Sequence, residues 1–239
     1  VPDLALIAVP GAGALEAARA CAERGVPAAI VLSAGFAEQG SEGAARQHEL
    51  RAIADKTGMR VLGPNCLGTV SVPEKAIGTF SVALENEMPA QGPVAIVSQS
   101  GNVGSLAMKM LGRGGAGISR FIASGNECDV DIADAIAWMA GDAATRVILV
   151  CMETCRDAAR LTLALDTARA AGKPVFVLKM GWPVQTRCLM RFLPNMGRCA
   201  SSRLKCWSRW AAPPPPLGTG LSARTHPCRL SRHPAALGS

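Results

Sequence analysis

Over residues 1–180, short continuous apolar runs alternate with longer alanine-rich or charged segments, and beyond Gly181 the alternation stops. The runs fall at residues 4–9, 28–32, 60–62, 94–97, 118–122, 147–150 and 174–178, and none shows a strict apolar–polar alternation. Strands that are apolar on both faces need cover on both faces, which a parallel sheet flanked by helices supplies. The segments between them read as helices. Residues 14–24 stop at Gly25 and residues 42–56 at Gly58, each with the glycine that ends many helices. Residues 101–111, 132–139 and 156–171 complete the helical set. The spacing predicts an α/β chain of two consecutive parallel-sheet units, residues 1–90 and 91–181. Residues 63–92 look looser, broken by Pro64, Pro73 and Pro89, and the boundary is expected near residues 88–92.

Charge divides the chain at the same place as the pattern. Of 25 basic and 18 acidic side chains, all the acids lie before Gly181, where the net charge is −2. Residues 182–239 carry eight Arg, one Lys and no acid, with half of the prolines and four of the nine cysteines. That basic tail is expected to be disordered or translated out of frame. With GC-rich codons, Lys205–Ala212 read two bases later gives Val-Leu-Val-Glu-Val-Gly-Gly, an ordinary strand and turn. Charge alone, with no nucleic-acid-binding fold or aromatic platform, gives no nucleic-acid partner. Apolar runs this short give no membrane helix. The opening Val1 points to a fragment or a start codon read as valine. Irregular cysteines without an export signal point to reduced thiols and a cytoplasmic location. Cys151 and Cys155 lack a second pair to complete a zinc site, so no metal is expected.

Glycine-rich turns follow several strands, where open α/β sheets bind ligands. Pro10-Gly11-Ala12-Gly13 leads into a helix whose first N–H groups and positive dipole end suit an anion. Each turn also has a plainer role: Gly11-x-Gly13 as a tight connection, Asn65 as an Asx turn, Ser100 as a helix cap. Asp129, Asp131 and Asp134 read as carboxylates at a helix start rather than metal ligands. Cys66, flanked by glycines, reads as a small packing residue and not a nucleophile.

Three segments carry a specific likeness: residues 60–68 (Arg-Val-Leu-Gly-Pro-Asn-Cys-Leu-Gly), 96–104 (Ile-Val-Ser-Gln-Ser-Gly-Asn-Val-Gly) and 124–131 (Ser-Gly-Asn-Glu-Cys-Asp-Val-Asp). With the turns at Ala8-Val9-Pro10 and Ser33-Ala34-Gly35-Phe36, their order resembles the NDP-forming acyl-CoA synthetases, relatives of the succinyl-CoA synthetase α subunit. The resemblance covers about residues 1–181. It implies a CoA-binding Rossmann-like domain followed by a flavodoxin-like ligase domain. It also implies an acid–CoA ligase that works through an acyl phosphate and a phosphohistidine. Coenzyme A is then expected at Pro10, Gly11, Ser33, Gly35, Pro64 and Asn65, with Asn65 near the thiol. Phosphate is expected at Ser100, Gly101, Asn102, Gly125 and Asn126, and Glu153 as the carboxylate orienting the histidine.

The chain departs from that pattern in three ways. The histidine loop expected after Lys179-Met180-Gly181 is absent, and His48, His226 and His233 do not replace it. The first strand, glycine loop and helix of the CoA domain would lie upstream of Val1. ATP or ADP would bind an ATP-grasp domain or partner subunit that this sequence lacks. The expected partners are CoA and a small carboxylic acid or its acyl-CoA, and the chain alone is expected to be inactive. Two alternatives stay open: a non-catalytic CoA-binding module, and the CoA-sensing region of a protein lysine acetyltransferase.

Overall fold

The structure, a computed structural model, describes residues 1–85 and 88–180. The expectations for residues 182–239 therefore lie outside the described residues. The first sheet is parallel, in the order β1 (Ala5–Ile7), β2 (Ala28–Val31), β3 (Arg60–Leu62). Ala5 is in register with Ala29, and Ala29 with Val61. Helices α1 (Gly11–Glu23) and α2 (Ser41–Thr57) share one core with this sheet: Ile7, Ala14, Ala18, Val31, Phe36, Leu50 and Val61 are all buried there. Alanines facing the strands let α1 lie close, and Gly58 ends α2 with φ +78°, the left-handed stop that its sequence announced.

The second sheet is mixed, in the order Ala76–Thr79, Gly68–Ser71, Ile118–Ala123, Gln91–Ser98, Val147–Met152, Val175–Lys179. Strands β6 (Gln91–Ser98), β7 (Ile118–Ala123), β8 (Val147–Met152) and β9 (Val175–Lys179) run parallel. Along β6, Val94 and Ile96 face the core under α3 (Gly101–Arg113), while Ala95 and Val97 face the core under α4 (Ile132–Gly141) and α5 (Ala158–Ala170). Continuous apolar strands thus bury both faces, and two layers of helix cover them.

Residues 63–92, read as loose from sequence, hold a hairpin: β4 (Gly68–Ser71) and β5 (Ala76–Thr79). Strand β4 runs antiparallel to β7, pairing Val70 with Phe121. The hairpin thus comes before the expected boundary and joins the sheet that lies after it. It also covers the face of the first sheet opposite α1 and α2: a Cβ built on Gly78 would lie 3.1 Å from Ile30 Cδ1 and 3.5 Å from Leu6 Cδ2. The hairpin turn is fixed by Glu74, which pairs with the buried Arg120 of β7. Arg120 also binds Asp142 at 3.0 Å and lies 5.4 Å from the Trp138 ring. None of the described helices is long and apolar enough to cross a membrane.

Candidate functional site

The C-terminal ends of β2 and β3 in one sheet, and of β6, β7 and β8 in the other, open on one cleft of about 870 Å³. Eight of the twelve residues singled out from sequence line it: Ser33, Asn65, Ser100, Gly101, Asn102, Gly125, Asn126 and Glu153. Pro10, Gly11, Gly35 and Pro64 do not. Gly35 and Pro64 are buried behind the wall, and they act by letting backbone pass. Gly35 has φ +104°, and its added Cβ would lie 3.2 Å from Gly11 Cα. Pro64, after a cis peptide, gives its carbonyl to the N–H of Asn126 at 2.9 Å. The Gly125 turn rests on that contact: φ is +62°, and a Cβ there would lie 2.4 Å from Pro64 O.

Helix starts differ around the molecule. Helix α2 has Glu42 in its first turn, α5 is capped by Asp157, and α4 by a reciprocal Asp131–Asp134 box. Helices α1 and α3 have no acidic residue in the first turn. Helix α3 is capped by the neutral Ser100 hydroxyl, which accepts from Val103 N at 3.5 Å. Its positive end therefore faces the cleft with no carboxylate in its own first turn, an arrangement that favours an anion, although Glu38, Glu127 and Glu153 line the same cleft. Leu67 packs under the first turn, where a Cβ on Gly101 would lie 2.5 Å from its Cγ.

Gln99, just before α3, fixes the rim next to it. Its Oε1 accepts from the backbone N–H of Glu153 at 2.6 Å and of Thr154 at 2.9 Å. Its Nε2 donates to Glu127 Oε2 at 2.8 Å. Glu127 is only 3 % exposed and has φ +56°; it also accepts from Ser124 Oγ at 2.7 Å and Ile132 N at 3.1 Å. Burial pushes its carboxyl above the ordinary glutamate range, against those hydrogen bonds, with the nearby Asp131 charge adding to the rise. Glu153 itself is exposed at the cleft edge, held by its backbone: its N–H goes to Gln99 and its carbonyl accepts from Lys179 Nζ. The residue at the start of α5 is Asp157, so Glu153 is not that helix's cap.

On the wall formed by Ser33, Ala34 and Asn65 the donors singled out from sequence are already engaged. Glu38 Oε1 accepts from the N–H of Gly35 at 2.6 Å and of Phe36 at 3.0 Å. Its other oxygen accepts from Asn126 Nδ2 at 2.6 Å. Asn126 Nδ2 also donates to Gln47 Oε1 at 2.9 Å, and Asn126 Oδ1 accepts from Asn65 Nδ2 at 3.2 Å. Partial burial pushes the Glu38 carboxyl up, but the hydrogen bonds from Asn126, Phe36 and Gly35 outweigh it and leave the group below its ordinary range. Ser33 Oγ is turned back onto the Ile7 carbonyl at 3.4 Å.

Sequence reading missed Gln99, Glu127, Glu38 and Gln47. Gln99 lay inside a motif that was noticed, between the strand and Ser100, but its partners Glu127, Glu153 and Thr154 are 28, 54 and 55 positions away. Cys66 is buried, donates weakly to Val31 O at 3.4 Å, and has its thiol pushed up to about 12 by burial, as suits a packing residue. Asp131 and Asp134 do start α4, whereas Asp129 ties the two sheets together through Val61 N at 2.8 Å and Arg60 at 2.9 Å. Among the described residues, no group of three or more His, Cys, Asp or Glu is arranged to hold a metal ion.

Residues 1–71 match the CoA binding domain, and residues 91–189 match the succinyl-CoA ligase like flavodoxin domain. The matched region belongs to the NDP-forming acyl-CoA synthetase family. It is 37 % identical over 180 residues to ADP-forming acetate–CoA ligase I of Archaeoglobus fulgidus, covering 75 % of this chain and 25 % of that protein. It is 36 % identical to the α subunit of ADP-forming acetate–CoA ligase I of Pyrococcus furiosus, covering 38 % of that subunit. The chain thus spans a quarter to two-fifths of these curated relatives. Among solved structures, the dinucleotide-forming acetyl-coenzyme A synthetase 1 of Ca. Korarchaeum cryptofilum, in complex with phosphate and ADP, superposes with a TM-score of 0.69 at 31 % identity. That match covers 83 % of this chain and 42 % of the synthetase chain.

Proposed function

We propose that residues 1–180 form the CoA- and phosphate-holding cleft of an NDP-forming acid–CoA ligase. The observation that carries this reading is one cleft walled by Ser33 and Asn65 on one side and by the uncharged start of α3 and Glu153 on the other. In this reading residues 1–90 supply the CoA side and residues 91–181 the phosphoryl side, with the β4–β5 hairpin crossing between them. The fit to CoA is good where the wall is small and polar: Asn65 is exposed at the cleft, and α1 begins without a capping side chain, leaving its first N–H groups free of helical partners. Gly35 contributes shape, since its N–H is held by Glu38.

The reaction proposed for the complete assembly is reversible. Phosphate attacks the acyl carbonyl of acyl-CoA, giving acyl phosphate and CoA. A histidine nitrogen then takes the phosphoryl group and releases the acid, and ADP takes it from the histidine to give ATP. The start of α3 at Ser100, Gly101 and Asn102 holds the phosphate oxygens, and Glu153 accepts the far N–H of the imidazole and fixes its tautomer. Gly125 and Asn126 shape the floor beneath. The one histidine among the described residues, His48, is exposed on α2 and does not line the cleft. The carrier histidine therefore comes from outside those residues, and nucleotide from an ATP-grasp domain or subunit. The same position of His48 favours, as a second reading, a CoA-binding module without turnover of its own. A cytoplasmic location goes with either reading.

Calorimetry of the full chain with CoA tests the assignment. Gly35→Val would force a branched side chain to φ +104° against Gly11, closing the turn behind the CoA wall. CoA affinity should drop at least tenfold. Unchanged affinity in a variant whose circular dichroism matches the parent would move the site elsewhere.

A further inference from the structure

A path of hydrogen bonds, with one covalent step between Asn126 and Glu127, crosses the cleft floor. It begins at the Gly35 and Phe36 N–H groups, passes through the Glu38 carboxylate to the Asn126 amide, and continues through the adjoining Glu127 to Gln99 and the backbone of Glu153 and Thr154. A carboxylate has no hydrogen to give, so Glu38 dictates which end of the Asn126 amide it meets. The NH2 end faces Glu38 and Gln47, and Oδ1 is left for Asn65. Both amide hydrogens and the carbonyl oxygen of Asn126 are thereby used within the protein.

We infer that Asn126 and Glu38 are positioning residues that link occupancy of the CoA wall to the geometry of the phosphate wall. This rests on the proposed cleft assignment. In this inference Glu38 is the side chain that rearranges. A CoA amide or phosphate oxygen that takes the Gly35 or Phe36 N–H must displace Glu38 Oε1. The carboxylate then turns, its bond to Asn126 changes, and Asn126 carries the change into the Gly125–Glu127 turn. That turn holds Gln99, and Gln99 holds the Glu153 backbone. Phosphate bound at the start of α3 biases the same turn from the other end. Coupling between two ligands is reciprocal, so each should alter the affinity for the other by one common factor.

The test measures that factor, the ratio of CoA dissociation constants without and with saturating inorganic phosphate, by calorimetry on the full chain. The parent protein should show a factor of at least about five. Glu38→Gln keeps an oxygen for the Gly35 and Phe36 N–H groups but turns an NH2 toward the NH2 of Asn126, so the factor should fall to near one. Adding Asn126→Asp supplies an acceptor opposite that new NH2 and restores the bridge with its polarity reversed. The double variant should regain most of the factor, which a merely destabilised fold would not do. A factor unchanged in Glu38→Gln, or lost there and not regained in the double variant, overturns the inference. Parent protein that binds both ligands without mutual effect overturns it as well, leaving the cleft assignment standing. Parent protein that binds no CoA at all overturns the cleft assignment and this inference together.

Discussion

Helices α3 and α4 begin in comparable places, each following a strand of the same sheet, yet their first turns are built oppositely. Helix α4 is closed by its own charges. Asp131 caps Asp134 N at 2.9 Å, Asp134 returns the bond to Asp131 N at 3.3 Å, and Arg160 clamps both carboxylates at 2.8 and 2.6 Å. Helix α3 has a single long hydroxyl cap, no carboxylate and a cleft in front of it. The positive end of α4 is closed by its own side chains, whereas that of α3 faces the cleft with no carboxylate in its first turn. A helix start becomes an anion site when its sequence omits the charge that would otherwise satisfy it.

The most damaging way to erase the difference is to give α3 the cap of α4. Ser100→Asp should cap the helix at least as well as serine, yet set a fixed negative charge where phosphate would sit. Phosphate affinity measured by calorimetry should drop about thirtyfold, or ~2 kcal/mol, with the thermal midpoint held or raised. Retained affinity would place phosphate elsewhere. The converse change, Asp131→Ala, removes both the cap and one partner of Arg160 and should cost about 1–2 kcal/mol in urea unfolding. Phosphate binding should not respond. Ser100→Ala removes only the 3.5 Å cap and should cost about 0.5 kcal/mol.

The smallest expected effect concerns Glu127, the buried carboxyl between the two helix starts. Its pKa is raised on folding, so its contribution to stability is fully present below the unfolded-state value and is lost as pH rises through the folded one. Unfolding free energies of the parent and Glu127→Gln, compared from pH 4 to pH 7, should therefore show the parent losing ground as pH rises. A difference independent of pH would show that Glu127 titrates alike in both states.

Most of the fold was legible because its strands are buried on both faces and read as unbroken apolar runs such as residues 94–97 and 147–150. The β4–β5 hairpin was not, because β4 alternates buried and half-buried residues over only four positions, and Gly68, Pro73 and Gly78 suggest a loop. Val70 and Ile77, in register across a Val72–Lys75 turn, were the signal available. In the site, sequence reading located the turns but misjudged their donors. Gly35 and Asn126 stood out for residue type, while the groups that engage them, Glu38 and Gln47, look like ordinary surface residues of α2 and its approach. Gln99 acts through partners 28 to 55 positions away, which no local pattern reveals, and Glu127 adds the distant Gln99 to its local partners Ser124 and Ile132.

The route of the chain through the hairpin limits how the cleft can move. The polypeptide leaves the first sheet at Leu62, enters the second as β4, lays β5 against the first sheet's outer face, and then runs into β6. The isolated bridge between Leu62 and Val130 and the Asp129 contacts add a further tie. Two walls joined by one strand of linker would swing apart like a door on a single pin. These are laced, so rotating one whole sheet against the other would break the β4–β7 pairing and the Asp129 contacts. Cutting the gene at residues 88–92 to express two halves would strand the hairpin on the wrong piece and leave the β7 edge bare.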